Sequence, residues 1–251
     1  MTGPSGTAAD RAAGRVAAPN RRERARAAMV GEIKQTALEL MRESGTTDVR
    51  FADIARAMGL TAPALYRYFT DRDELLTAMV VDSFDDLGAD LAEARESVHA
   101  DDLSGRLLAT CRAYRRWAAE NPQRFALIFG MPVPGYAAPI DGPTTEAAKR
   151  AMANFESLVI AAMKRGDLRA PIVREVGPAL AACMTMKEAE TGTGIPPETY
   201  QAMLLTWGAL HGFTCLEAYG HLGWLEPQAR DELFTAQIRA AAMCAGLPLP
   251  I

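Results

Sequence analysis

From Arg21 onward apolar side chains recur every three to four positions, and nowhere is the strict alternation of a half-buried strand sustained. The pattern predicts an all-α fold. Val30, Ile33, Ala37, Leu40 and Met41 form one stripe of a helix over residues 22–44, with Gly45 where a C-terminal stop belongs. Phe51, Ile54, Ala55 and Met58 repeat at i, i+3, i+4 and i+7 in a short second helix closed by Gly59. Thr61 opens a third helix over 62–68. A long fourth starts near Arg72 and carries Leu75, Leu76, Met79, Val80 and Phe84, opposite a solvated face of Asp82, Asp85, Asp86, Asp90 and Glu93. Farther on, Asn121-Pro122 and the Pro- and Gly-bearing stretches 131–143, 166–171 and 192–197 interrupt the pattern. They leave helices near 104–119, 122–130, 143–165, 172–189, 198–221 and 227–245. No fixed-period repeat appears, which argues against a solenoid. Residues 1–20 have little periodicity and are predicted to be a disordered arm.

Composition narrows the class. With 251 residues, 49% of them hydrophobic, the chain has enough apolar material for a sizeable core. No apolar run reaches the roughly 18–20 residues of a membrane span, and no secretion signal is present, so a cytoplasmic protein is expected. Cys111, Cys183, Cys215 and Cys244 stand far apart without a Cys-x-x-Cys pair and read as buried small hydrophobes; no metal and no cofactor are expected. The net charge of −4 is unevenly spread: residues 1–73 hold twelve Lys and Arg against nine Asp and Glu, and the remainder fifteen against twenty-two. A basic head of +3 on an acidic body of −7 suits a protein that touches phosphate at one end only.

The second and third helices, joined by Gly59-Leu60-Thr61, have the size and turn chemistry of a DNA-binding helix-turn-helix, whose second helix enters the major groove. Leu65 and Phe69, four residues apart, face the core, which places Pro63 and Arg67 on the far side with Ala64 beside them and Tyr66 and Tyr68 at the flanks. Small outward residues let the backbone approach the groove while the tyrosines reach the phosphate rails. Thr61 has N-cap chemistry, and because Pro63 has no N–H its hydroxyl is expected to serve the Ala64 amide. The run Arg21-Arg22-Glu23-Arg24-Ala25-Arg26 is either a solvated face or an arm over phosphate or in the minor groove.

These residues resemble the N-terminal domain of TetR-type transcription regulators. The likeness covers residues 28–80 and rests on Gly45, Phe51-Ala52-Asp53-Ile54-Ala55, Met58-Gly59-Leu60-Thr61, Ala64-Leu65-Tyr66-Arg67-Tyr68-Phe69 and Arg72-Asp73-Glu74-Leu75-Leu76. It implies that Thr61, Tyr66 and Arg72 hold phosphates and that Ala62, Pro63, Ala64, Arg67 and Tyr68 line base edges. Two positions depart from the family: Arg50 stands where a Ser or Thr usually caps the second helix, and Arg72 where a Lys is usual. Arg50 could meet phosphate by charge instead.

Farther on, Thr206-Trp207-Gly208-Ala209-Leu210-His211-Gly212, with Asn121-Pro122 and residues 125–130 upstream, resembles the Trp-His-Gly motif that names one subgroup of TetR-type C-terminal domains. In those proteins the last two long helices pair across a two-fold axis, which makes Trp207, Gly208, His211 and Gly212 candidate dimer contacts. His211 itself reads first as a packed, hydrogen-bonded histidine. Trp117, Phe125, Phe129, Met131, Met152, Phe155 and Met184 are candidate lining for a small-molecule pocket. The division that follows is an arm (1–20), a helix-turn-helix domain (21–73) and a helical effector-binding and dimerisation domain (74–251). Expected partners are an inverted-repeat DNA operator, a mostly apolar effector and a second copy of the chain, with no membrane. An all-α enzyme is disfavoured, since no nucleophile–base set, no phosphate-cradling glycine loop and only three histidines are present. An interaction module that kept the helix-turn-helix as scaffold is the alternative.

Overall fold

The structure, a computed structural model, describes residues 20–247. The expected arm lies outside the described residues except for Asn20, which caps the first helix. Its side chain accepts from the Glu23 amide while the Glu23 carboxylate accepts from the Asn20 amide, so two orphan donors are satisfied reciprocally.

Helices fill the described chain. The head is α1 (Arg21–Ser44), α2 (Phe51–Ala57) and α3 (Ala62–Leu65), and α4 (Arg72–Glu96) leads out of it into the body. The body adds α5 (Leu103–Glu120), α6 (Pro122–Phe129), α7 (Pro143–Arg165), α8 (Pro178–Thr191), α9 (Pro197–Ala218) and α10 (Pro227–Cys244). Local chemistry sets the ends. Gly45, at φ 67°, takes the left-handed conformation that stops α1, and Gly59, at φ 66°, does the same in the turn between α2 and α3. Asp71 accepts from the Glu74 amide to start α4, and the Thr70 amide donates to the Glu74 carboxylate, holding that carboxyl below its usual range.

Two elements depart from the periodicity. α3 is one turn long rather than spanning 62–68; beyond Leu65 the chain tightens into i→i−3 bonds, Arg67 N–H to the Ala64 carbonyl and Tyr68 N–H to that of Leu65. α8 begins at Pro178 instead of 172. A residue before proline is pushed out of the helical region, and the preceding segment is held extended: the Ile172 amide donates to the Cys244 carbonyl and the Gln201 side chain to those of Val173 and Glu175.

Two hydrophobic cores result. One joins α1–α3 to the first half of α4 around Ile33, Ala37, Met41, Ile54, Leu65 and Leu76, and it also takes in Leu127, Val133, Ala147 and Ala151 from the body. The other gathers Leu91, Tyr114, Trp117, Phe125, Leu158, Leu210, Phe213 and Phe234 from α4, α5, α6, α7, α9 and α10. Ile128, Phe129 and Met152 pack against both. The division placed at residues 73 and 74 thus falls in the first turn of α4, and apolar packing continues across it. The cysteines also sort differently from expectation: Cys111 is buried and Cys215 half-buried, but Cys183 and Cys244 are exposed, on outward faces of α8 and α10.

Candidate functional site

Leu65 and Phe69 are buried under α3 and anchor it to α1, α2 and α4, so the opposite face is turned to solvent. Thr61, Pro63, Tyr66 and Arg67 are exposed there, with Ala62, Ala64 and Tyr68 half-buried at its edges. The Tyr66 ring leans on Phe51, its centroid 5.3 Å away, which fixes the phenol at the rim of the face. Arg50, at the N-cap of α2, makes no cap bond and projects its charge into solvent. The Thr61 hydroxyl also makes no cap bond, contrary to the expectation for it. The Ala64 amide donates to the Thr61 backbone carbonyl instead, 2.9 Å away, and leaves the hydroxyl free for an outside partner.

Arg72 is differently placed. Its guanidinium donates to the Asp48 carboxylate (2.6 Å), the Val49 carbonyl (2.8 Å) and the Pro134 carbonyl (3.2 Å), tying the α1–α2 turn to the loop after α6. That loop is held again where Thr77 and Tyr136 share a hydroxyl–hydroxyl bond of 3.0 Å. In the basic run Arg21, Arg22, Arg24 and Arg26 are all exposed, and Arg26 also reaches the backbone just past α3, a contact that no local pattern announces.

Of the candidate pocket residues, Phe125, Phe129 and Phe155 come together, and Trp207 and His211 join them rather than facing outward. Phe129 lies 5.1 Å from the His211 ring and 5.8 Å from that of Trp207, and Phe155 lies 6.4 Å from Trp207. Trp207 stacks on His211 at 5.3 Å, as their i, i+4 spacing on α9 allows. Met152 packs against the same core. Trp117 is buried nearby and donates its indole N–H to Asp86. Met131 stands 85% exposed and Met184 lies on α8; neither is among the side chains that pack against this core.

Tyr114, which the helical pattern did not single out, sits at the centre, 5.2 Å from Trp207 and 6.0 Å from Phe129. Its hydroxyl meets His211 Nδ1 at 2.8 Å, and Cys215 Sγ meets Nε2 at 3.3 Å. A neutral imidazole has one N–H and one bare nitrogen, so the ring donates on one side and accepts on the other. Burial favours that neutral form, pushing the His211 pKa below its ordinary value and the Tyr114 and Cys215 pKa values up. Finding Tyr114 requires knowing that α5 packs on α9, which is a long-range fact.

Gly208 and Gly212 point the other way. With Leu204, Leu205, Leu216 and Tyr219 they form an exposed apolar stripe on α9, and Leu233, Ala240 and Met243 are exposed on neighbouring α10. Among the described residues no helix is long and apolar enough to cross a membrane.

With this geometry in place, comparison with known proteins defines the class. Residues 33–79 match the family described as bacterial regulatory proteins, tetR family, and residues 107–241 match that described as tetracyclin repressor-like, C-terminal domain. The chain belongs to the TetR family of helix-turn-helix transcription regulators, and DNA binding in transcription regulation is its role. Among individual proteins, it is similar to the HTH-type transcriptional regulator Rv1816 of Mycobacterium tuberculosis strain H37Rv and to Mb1846 of Mycobacterium bovis. It is 33% identical to each over 81% of this chain and 86% of the relative. A crystal structure of the protein SCO4313 superposes with a TM-score of 0.69 at 33% identity, covering 88% of this chain and 98% of the other. The fold also matches RolR, solved with resorcinol, with a TM-score of 0.50 at 18% identity over 91% of this chain and 98% of that one.

Proposed function

We propose that this regulator is a homodimeric repressor that holds an inverted-repeat operator and is released from it by a small, mostly apolar molecule. In this reading Ala62, Pro63, Ala64, Arg67 and Tyr68 meet base edges, while Arg50, Thr61 and Tyr66 meet phosphates. Arg72, three of whose five N–H donors already hold Val49, Pro134 and Asp48, joins the phosphate contacts through its remaining N–H groups or by releasing Asp48.

The dimer reading is supported by α9, which is apolar on both sides: Leu210 and Phe213 face the chain's own core, and Leu205, Gly208, Gly212 and Leu216 face outward. A helix apolar all round is normally covered all round. Beside the stripe, α9 and α10 enclose an apolar groove of about 450 Å³ along Leu205, Ala209, Ala240 and Cys244.

The observation that carries ligand release is the double membership of Phe129. It touches Tyr114, Trp207 and His211 in the body and, edge-on at 5.6 Å, Phe84 in the core of the head. A molecule that displaces Phe129 from the aromatic cluster disturbs both cores. RolR's ligand, a small phenol, suggests the size and class of compound to try. Screening small phenols and other aromatics by thermal shift, then measuring DNA affinity with each stabilising compound, tests the reading. A compound that weakens DNA binding a hundredfold requires a coupling of about 2.7 kcal/mol, and DNA must weaken that compound by the same factor. Compounds that raise the Tm but leave DNA affinity untouched would refute release.

A further inference from the structure

We infer that Arg26 is a positioning residue for sequence reading: it fixes the end of α3 from which Arg67 and Tyr68 project, and it is not itself a phosphate contact. The inference rests on the DNA-reading role proposed for α3. α3 has a single turn, and the first bond that extends it is long, the Arg67 amide lying 3.4 Å from the Ala64 carbonyl, before the Tyr68 amide closes on the Leu65 carbonyl at 2.8 Å. The carbonyls of Arg67 and Tyr68 lie beyond the helix, where among the described residues no backbone amide reaches them. Arg26 supplies the missing donors from α1. Its Nη1 donates to the Arg67 carbonyl at 2.8 Å and its Nη2 to that of Tyr68 at 3.4 Å, and its guanidinium lies over the Tyr68 ring, 5.3 Å from the centroid.

A planar fork holds two successive carbonyls in a fixed relative geometry while lying over an aromatic face. Arginine carries such a fork, and lysine, a point charge on a flexible stem, does not. A cation at the C-terminal end of a helical turn also sits where the backbone dipole favours it. Because α1 is anchored in the core of the head through Ile33, Ala37 and Met41, the grip ties the tip of the reading segment to the rigid part of the domain. Side chains that read bases keep their discrimination only while their backbone is held in place.

A positioning role and a phosphate role leave different signatures in salt titrations. The probe is a duplex that the parent protein selects from a random-sequence pool, compared with an unselected duplex of equal length. For Arg26→Ala the expected result is at least a tenfold loss of affinity for the selected duplex, no change for the unselected one, and an unchanged slope of log K against log salt. Arg26→Lys, which keeps the charge, is expected to show the same loss, and a thermal melt of each variant establishes that the fold is intact. If both duplexes weaken together and the slope becomes shallower by about 0.9, Arg26 is a phosphate contact and the inference fails. It fails equally if Arg26→Lys restores discrimination or if Arg26→Ala changes nothing. A parent that enriches no sequence would remove the reading role itself, and with it this inference, before any variant is compared.

Discussion

Arg67 carries its charge on the side of α3 away from the buried Leu65 and Phe69, and Tyr66 stands beside it against Phe51. Arg67→Ala is expected to lose about 1–3 kcal/mol of discrimination between the selected site and single-base variants of it, whereas Tyr66→Phe should weaken all duplexes alike. Equal affinity of Arg67→Ala and parent for the selected site, at matched salt, would move the reading face elsewhere. His211 lies between Tyr114 and Cys215, and burial favours its neutral form. Its folded-state pKa lies below the unfolded value of about 6.5, so the unfolded chain binds the proton more readily. Stability from this group is present above that pH and is lost as pH falls below it. The Tm of the parent should therefore fall more steeply between pH 7 and pH 5 than that of His211→Gln; parallel curves would contradict the buried neutral ring. Leu65 and Phe69 are buried and Arg67 is exposed as a helical period over 62–68 predicts, although the helix itself ends at Leu65 and tighter turns carry the pattern on. The helical period could not show that Trp207 and His211 turn inward while Gly208 and Gly212, on the same helix, turn outward. α9 is apolar on both faces, so periodicity does not say which one the chain covers itself.

At the level of elements, caps and breakers marked helix ends well where a glycine or proline forces the backbone, as at Gly45, Gly166 and Pro143. They failed where tertiary bonds decide. The extended segment before α8 depends on Cys244 and Gln201, which lie far along the chain. The length of α3 is set by tight i→i−3 bonds past Leu65 that its composition does not reveal. α4 comes close to α7 at Gly88: a Cβ built there would lie 3.2 Å from the Ala151 Cα, so even a methyl group would make the two helices give by a few tenths of an ångström, and a larger side chain by more. Ala151, on α7, also packs into the core that α1–α3 share with the first half of α4, so a shift of α7 at this point is felt there. Gly88→Leu is expected to cost about 1–3 kcal/mol in urea unfolding by forcing the helices apart. A loss under ~0.5 kcal/mol would mean that the close approach is not needed.

For the whole molecule, the charge asymmetry and the helix-turn-helix pattern made the DNA-facing end legible, but the shared core around Phe129 and Met152 arises from packing between α4, α6 and α7 that no local pattern encodes. Dimerisation can be tested without disturbing the single chain. A Cβ at Gly208 meets nothing within 4 Å, so Gly208→Leu should leave the fold of one chain intact. It should shift the light-scattering mass from two chains toward one and weaken DNA binding in step; an unchanged mass would take the interface away from this stripe. Reading of DNA by a symmetric pair of these chains is measured by letting the purified protein select from a random duplex pool and determining the protein-to-DNA ratio of what it retains. The expected result is an enriched inverted repeat whose half-sites lie about one helical turn apart, or a little more, with two chains bound per repeat. Retention of all duplexes alike, or enrichment of a single asymmetric site by one chain, would contradict it.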